Sequence, residues 1–303
     1  MIKCIFVPAQ PAMNPSFIYV SCADSRRIDV FSLNAENGEL ESIQQLTTQH
    51  APLPMKLGTD RNMLYVGTRG ENTIQSYAIA PASGKLTLSG ESPLPGGPAY
   101  VSCDHARRVA FAASYADHKL SVHPLTAQDI ADKACQCLEG LPRAHAALVD
   151  ASNRWLLVPM LGADAIAIYR LDPESAALTP AEPPAHAVRS GSGPRHLVFA
   201  PDKRFVYCLN ELDGGIDVFT FDAEQGRLAQ RQSISLLPHG FSGQPWAAEI
   251  RLTPDGRFLY TTERRSSTLA VFAVDMAVGD LALFGHYPTE TQPRGMAIAP
   301  CGG

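Results

Sequence analysis

The sequence predicts an all-β fold of repeated four-stranded units, and three observations predict it. An apolar-aromatic strand, a polar turn and a second alternating strand recur six times along the 303 residues. Proline (24) and glycine (23) are too frequent for a helical protein and suit many short strands joined by turns. No long segment carries the 3.6-residue apolar period of a helix. With 45% hydrophobic and 18% charged residues, a sizeable core can form and disorder is excluded.

The repeats run in order. Phe17-Ile18-Tyr19-Val20 is followed by Ile28-Asp29-Val30-Phe31, and Leu64-Tyr65-Val66 by Thr73-Ile74-Gln75-Ser76-Tyr77. Val109-Ala110-Phe111 leads to Leu120-Ser121-Val122, and Trp155-Leu156-Leu157-Val158 to Ala165-Ile166-Ala167-Ile168-Tyr169. The last two pairs are Phe205-Val206-Tyr207 with Ile216-Asp217-Val218-Phe219, and Phe258-Leu259-Tyr260 with Leu269-Ala270-Val271-Phe272. Taking Tyr19, Tyr65, Phe111, Leu157, Tyr207 and Tyr260 as markers, the spacings are 46, 46, 46, 50 and 53, near the ~40–50 residues of a propeller blade. Turns such as Asn37-Gly38, Ser83-Gly84 and Gln225-Gly226 follow the second strand and introduce another. An apolar run ending in a turn precedes the marker strand, as in His196 to Asp202 and Ile250 to Gly256. Four strands per repeat predict the blades of a β-propeller rather than a solenoid.

The first marker strand, at Phe17, has no obvious inner strand before it, and the inner strand expected at Gly295 to Ala299 has no marker strand after it. The ring is therefore expected to close by mixing the termini. Ile2 to Val7 is β-prone and is a candidate for the missing inner strand, although Pro8 and Pro11 weigh against it.

Composition narrows the function. The 25 Lys and Arg against 30 Asp and Glu give a net charge of −5 with no basic run, which excludes nucleic acid or an anionic membrane surface as a partner. Seven scattered cysteines, with Cys135 and Cys137 one residue apart, form no disulfide framework or zinc knuckle. They are expected to be free, mostly buried thiols in a reducing compartment. No stretch reaches the roughly 18 apolar residues of a membrane span, and the N-terminus is too short in apolar residues for a signal peptide. A cytoplasmic protein, monomeric or weakly self-associating, is expected.

In a propeller, register-equivalent residues of the blades form a ring at one height. Six residues before Pro201 stands Arg195, with equivalents Leu53, Gly97, His145, Ala248 and Arg294. Four residues past the markers stand Ala23, Arg69, Tyr115, Leu161, Glu211 and Arg264, which face the same mouth because the strands are antiparallel. His145, Arg195, Glu211, Arg264 and Arg294 are thus expected to converge, with Arg69 across the mouth. Polar channel mouths are commonly wet and inert, but four arginines with a histidine and a glutamate around one opening make an anion pocket with a base. Arg204 and Arg251 fall elsewhere in the register and are expected to be solvated. His118 and His123 lack metal-spaced partners and are expected on a blade edge, while Trp155 and Trp246 are expected in the core. Gly240-Phe241-Ser242-Gly243-Gln244 lacks the last glycine of a nucleophile elbow, and no phosphate-binding glycine loop is present.

Gly193-Pro194-Arg195-His196, Leu209-Asn210-Glu211-Leu212, Trp246 to Ile250 with Thr253-Pro254-Asp255-Gly256-Arg257, and Glu290 to Gly295 resemble segments of the seven-bladed propeller lactonases. The similarity runs from about Met13 to the C-terminus. It implies a seven-bladed propeller and hydrolysis of 6-phospho-D-glucono-1,5-lactone to 6-phosphogluconate, with no metal or organic cofactor. A muconate-lactonizing enzyme of the same fold has an active-site His, Arg, Glu and Arg that look like His145, Arg195, Glu211 and Arg294. His196 and Glu249, in the matching segments, join Arg69 and Arg264 as candidates for binding a small phosphorylated sugar lactone. Against the family pattern, residues 1–12 read as an extra segment before a single domain of residues 13–303. Most of the last blade and the closing strand read as missing, so a less stable, incomplete ring is expected.

The chemistry expected of this mouth is general-base attack of water on the lactone carbonyl. His145 is the preferred base, since imidazole is partly unprotonated near pH 7, with Glu211 orienting or replacing it. Arg195 would stabilise the oxyanion, and Arg294 with Arg264 or Arg69 would hold the phosphate. Another lactone-opening or lactone-forming enzyme, or a non-catalytic scaffold, are the competing readings. A scaffold would favour aromatic hot-spot residues at the mouth.

Overall fold

The computed structural model describes residues 2–7, 16–34, 36–172 and 174–299. Within them every regular element is a β-strand. The strands form six four-stranded sheets, each an antiparallel meander of strands consecutive in the chain. The first holds β1 (Ile2–Val7), β2 (Ser16–Cys22), β3 (Arg27–Leu33) and β4 (Leu40–Thr47). The second holds β5 (Ala51–Leu57), β6 (Met63–Arg69), β7 (Thr73–Ile79) and β8 (Leu86–Pro93). The third holds β9 (Pro98–Cys103), β10 (Val109–Ser114), β11 (Lys119–Pro124) and the short β12 (Gln136–Leu138). These three sheets, with residues up to Gly140, make one compact unit.

Leu141–Ile298 makes a second unit, also of three sheets. Its first sheet runs β13 (Leu148–Val149), β14 (Trp155–Met160), β15 (Ala165–Leu171) and β16 (Leu178–Ala187). The next runs β17 (Pro194–Phe199), β18 (Phe205–Asn210), β19 (Gly215–Asp222) and β20 (Arg227–Ser235). The last runs β21 (Ala247–Leu252), β22 (Phe258–Glu263), β23 (Thr268–Val274) and β24 (Leu281–Pro288).

Within each unit, neighbouring sheets pack on one another because their central strands are apolar on both faces. In the first unit Tyr19, Val30, Leu64 and Tyr77 interlock sheets one and two, and Tyr65, Ile74, Val101 and Ala110 interlock two and three. In the second unit Trp155, Ile168, Val206 and Phe219 join its first two sheets, and Tyr207, Val218, Ile250 and Phe272 join its last two. Phe17, Trp155 and Phe205, which stand at or near the start of their marker strands, each lie over a glycine turn of the following sheet, at Gly84, Gly226 and Gly279. Gly226 has φ +65°, and a Cβ there would sit 2.5 Å from the Trp155 ring. The turn thus needs glycine both for its conformation and for the indole that covers it.

The marker tyrosines also reach the next sheet: Tyr19 Oη donates to Gly84 O (2.8 Å) and Tyr65 Oη to Asp129 O (2.9 Å). Tyr207 is fully buried, yet its hydroxyl has no hydrogen-bond partner among the described residues, and burial pushes its pKa up. A buried hydroxyl without a partner costs free energy that its removal returns. Urea melts are therefore expected to show Tyr207→Phe as stable as the parent or up to about 1 kcal/mol more stable, and Tyr19→Phe about 1 kcal/mol less stable. Equal losses in both variants would contradict this difference.

Ile2–Val7 pairs with β2 from Ile2↔Cys22 to Val7↔Phe17, in the place that β5, β9, β13, β17 and β21 take in the other sheets. Pro8, Pro11 and Met13 lie outside the described residues. The expected inner strand at Gly295–Ala299 is not formed: residues 293–299 are coil, since an extended run becomes a strand only when a neighbour takes its N–H and C=O groups. His123 is not on an edge. It lies fully buried on β11, between β10 and β12, with Nδ1 bonded to Asp132 O (2.9 Å) and Nε2 to Ser121 Oγ (2.8 Å). His118 sits exposed in the β10–β11 turn. The five described cysteines are free, but burial is mixed: Cys103 and Cys208 are buried, Cys22 is half-buried, and Cys135 and Cys137 are exposed beside and on the short β12. Cys4 and Cys301 lack a described side chain. Among the described residues no helix is long and apolar enough to cross a membrane.

Candidate active site

Strand alternation would send Arg195 and His196 to opposite faces of β17. The ladder to β18 breaks there instead: Pro194 pairs with Asn210 and His196 with Leu209, so Arg195 is the extra residue of a β-bulge. Both side chains are almost wholly buried, and Arg195 Nη1 lies 3.2 Å from His196 Nε2. A second break, between Ala247 and Ile250 on β21, similarly places Ala248 O and Glu249 in the same cluster. Arg195 Nη1 donates to Ala248 O, and the Glu249 amide donates to Thr262 Oγ1 (3.0 Å).

Glu211 follows β18, with its amide on Gly193 O (2.8 Å). Its Oε2 accepts from Arg195 Nε at 2.7 Å and lies 2.9 Å from Arg264 Nη2. Arg264 follows β22; its Nε donates to Trp246 O (2.8 Å) and its Nη2 also to Ala247 O (2.8 Å). The face of its guanidinium covers the Trp246 ring, 3.9 Å from the centroid. Burial first, then the charge of Arg195, lowers the Arg264 pKa to about 10, with Glu211 opposing both. It remains a cation at neutral pH. Two guanidiniums against one carboxylate leave this part of the site positive.

Around the imidazoles, His196 Nδ1 donates to Glu249 Oε1 (2.9 Å), which leaves Nε2 to accept from Arg195. Arg251 Nη1 also donates to Glu249 Oε1 (2.8 Å). Arg251 is therefore not simply solvated: it keeps part of its surface in water while its charge meets a carboxylate that is 1% exposed. His145 lies on the coil before β13, its amide on Pro159 O (3.1 Å), and meets the His196 ring edge-on with centroids 5.0 Å apart.

Below Arg264, the fully buried Glu263 ties down the turn after β22. It accepts from the Trp246 amide (2.6 Å), the Ser266 amide (2.5 Å) and the Ser266 hydroxyl (2.7 Å). Burial alone would raise its pKa, but these donors and the Arg265 amide together hold it below the usual carboxylate value. A carboxylate depressed in the folded state adds stability above its unfolded value of 4.5 and loses it as pH falls through the folded value. Stability from urea melts is accordingly expected to fall below about pH 4.5, and Glu263→Gln, less stable at pH 7, to show a shallower acid loss. An unchanged acid slope in the variant would assign that loss to other groups.

The structure thus brings Arg195, Glu211 and Arg264 together, with His196, Glu249 and His145 beside them. Arg294 lies half-buried on the coil after β24 in the same unit. Arg69 closes β6 in the first unit, where its Nε donates to Pro98 O (3.3 Å) and burial lowers its pKa. Trp246 is not core as expected: it is half-buried, with Arg264 and Arg265 (5.0 Å) on its ring, whereas Trp155 is core and donates to Ala223 O (2.8 Å). Arg204 is exposed as expected, paired with Asp202. Glu263, Trp246, Arg251 and Arg265 are the residues the sequence reading missed. Their signal is nearness in sequence to the register positions 248 and 264. No three His, Cys, Asp or Glu side chains are grouped as a metal site requires among the described residues.

Residues 17–303 match the family described as lactonase, 7-bladed beta-propeller. The chain is 40% identical to the 6-phosphogluconolactonase of Serratia proteamaculans and 42% identical to that of Xenorhabdus nematophila, in each case over 93% of this chain and 84% of the relative. Among solved structures it is similar to the periplasmic gluconolactonase of Pseudomonas aeruginosa, with a TM-score of 0.87 and 29% identity, covering 100% of this chain and 87% of the other.

Proposed function

This chain belongs to the lactonase family of seven-bladed β-propellers, and on that premise we propose that it hydrolyses 6-phospho-D-glucono-1,5-lactone to 6-phosphogluconate. The observation that carries the reading is the pairing of a buried, positively charged cluster with two imidazoles in one unit: Arg195 and Arg264 on Glu211, with His196 and His145 alongside. The named relatives act in the same direction, since two at 40% and 42% identity are 6-phosphogluconolactonases. The free thiols among the described cysteines fit a cytoplasmic enzyme.

In this mechanism His145 takes a proton from water as the water oxygen attacks the carbonyl carbon. The carbonyl π electrons move to oxygen, and Arg195 stabilises the resulting oxyanion. Collapse of the tetrahedral intermediate breaks the bond to the ring oxygen, which leaves as the C5 hydroxyl after taking the proton back from His145. Glu211 serves as an anchor: its Oε2 is already occupied by two guanidinium donors, which suits it to fix Arg195 rather than to accept a proton from water. Arg264 is likewise committed, to Glu211 and two carbonyl groups, so Arg294 is the preferred cation for the phosphate. A δ-lactone is activated enough that no covalent nucleophile is needed. The six described sheets are one fewer than the blades of the family's name, and a seventh blade is part of this reading only at the level of the family.

Release of 6-phosphogluconate, followed through 6-phosphogluconate dehydrogenase with fresh lactone, tests the reading. The chain is expected to exceed the spontaneous rate and to prefer the phosphorylated lactone over glucono-1,5-lactone. Activity on glucono-1,5-lactone alone would move it to the chemistry named for the Pseudomonas relative, and activity on neither would overturn it.

A further inference from the structure

We propose that Arg265, on the turn between β22 and β23, is a ligand of the substrate's phosphate and sets the preference for a phosphorylated lactone. The inference rests on the hydrolase reading above and adds to it a specificity residue outside the register of the candidate cations.

Four features of Arg265 point this way. It is exposed, and its guanidinium makes no hydrogen bond or ion pair among the described residues. Several other exposed or half-exposed arginines of the unit are committed, Arg154 to Glu224, Arg189 to Asp213, Arg204 to Asp202 and Arg251 to Glu249, while the exposed Arg257 lies over Phe258 at the end of β22 opposite Arg264, and the exposed Arg170 lies on β15. Arg265 is held at the site all the same, because its guanidinium lies over the Trp246 ring that also carries Arg264, the partner of Glu211. Its backbone is fixed from below, since Glu263 binds the Ser266 amide and hydroxyl and the Trp246 amide.

A guanidinium stacked on an aromatic ring keeps its edge N–H groups free, and that edge matches the oxygens of a phosphate. The ring also limits the side chain's motion, which lowers the entropy lost on binding. In 6-phospho-D-glucono-1,5-lactone the phosphate hangs from C6, on the carbon that carries the ring oxygen. It therefore lies across that oxygen from the carbonyl, so a cation a short reach beyond Arg195 and Glu211 is required. Arg264, the other cation on the same ring, has Nε and Nη2 bonded to protein and cannot supply that edge without giving up Glu211.

The test compares the parent, Arg265→Ala and Arg265→Lys on 6-phospho-D-glucono-1,5-lactone and on glucono-1,5-lactone, with calorimetric binding of 6-phosphogluconate and gluconate. Arg265→Ala is expected to raise KM for the phosphorylated lactone by roughly 10–100-fold with little change in kcat, the effect of losing a charged hydrogen-bonding partner. Glucono-1,5-lactone is affected far less, 6-phosphogluconate binding weakens in parallel, and Arg265→Lys recovers part of the loss. An unchanged KM, or equal losses on both lactones, overturns the assignment. If the parent opens neither lactone but loses 6-phosphogluconate binding in Arg265→Ala, the hydrolase reading falls while the phosphate ligand stands.

Discussion

Arg195→Ala is expected to lower kcat/KM for the lactone by roughly 10²–10³, the cost of about 2.7–4 kcal/mol measured when an oxyanion donor is lost. The loss falls on kcat as well as kcat/KM, because the charge that Arg195 meets develops only as water adds to the carbonyl. Stability changes too. Arg195 is 1% exposed and holds Glu211, so its removal leaves that carboxylate with Arg264 and strips a donor from Ala248 O. Breaking one side of a buried ion pair costs about 3–5 kcal/mol. Thermal melts must therefore accompany the kinetics, and rates are compared at a temperature where both proteins are folded. Arg195→Lys separates the two effects. A lysine restores a charge near Glu211 but not the forked donors that reach Glu211 and Ala248 O together. Better recovery of melting temperature than of kcat is expected. Full recovery of kcat with lysine would show that Arg195 supplies charge alone and that the oxyanion is held by another group.

His145→Asn is expected to lower kcat by roughly 10²–10⁴ and to remove the acidic limb of the rate profile. The sign follows from the role: a base works in its unprotonated form, so activity rises with pH until that form predominates. Asparagine can keep hydrogen bonds but cannot take a proton at neutral pH, which makes it a better test than alanine. His196 is the needed control, because its ring meets His145 edge-on and is itself tied to Glu249 and Arg195. His196→Asn is expected to lower activity while leaving an acidic limb in place. Near-full activity of His145→Asn, together with an inactive Glu211→Gln, would reverse the roles assigned to the two residues.

Much of this architecture was legible from periodicity alone. The marker strands and their partners fall where the aromatic repeats put them, because alternation and β-branched content survive in every sheet while the turns vary. The meeting of Arg195, Glu211 and Arg264 was also legible, since one register fixes the ends of neighbouring strands. What the register could not supply is the bulge. A rule of period two separates Arg195 from His196 and Ala248 from Glu249, and the extra residue in each inner strand brings them to one cluster. An indole is usually buried, which predicts a core position for Trp246, but its place at the entry to β21 leaves one part of it to the arginines. The register alone predicts a solvated Arg251, because it lies outside the ring of mouth positions, yet it stands two residues from Glu249 on the same strand and donates to that carboxylate. The strand expected at Gly295–Ala299 had the right composition but no ladder beside it, and composition alone does not make a strand.

The contrast between the two tryptophans has a spectroscopic use. The sequence holds no others, so all indole emission comes from Trp155 and Trp246. Trp155 is wrapped in core, with its N–H on a carbonyl, and forms a constant, blue-shifted background. Trp246 lies half-buried with two guanidiniums against its π-face, where any anion that draws on those charges alters the field across the ring. The protein therefore carries its own reporter beside the cationic cluster, and the Trp246→Phe spectrum isolates the reference component without a dye or a label.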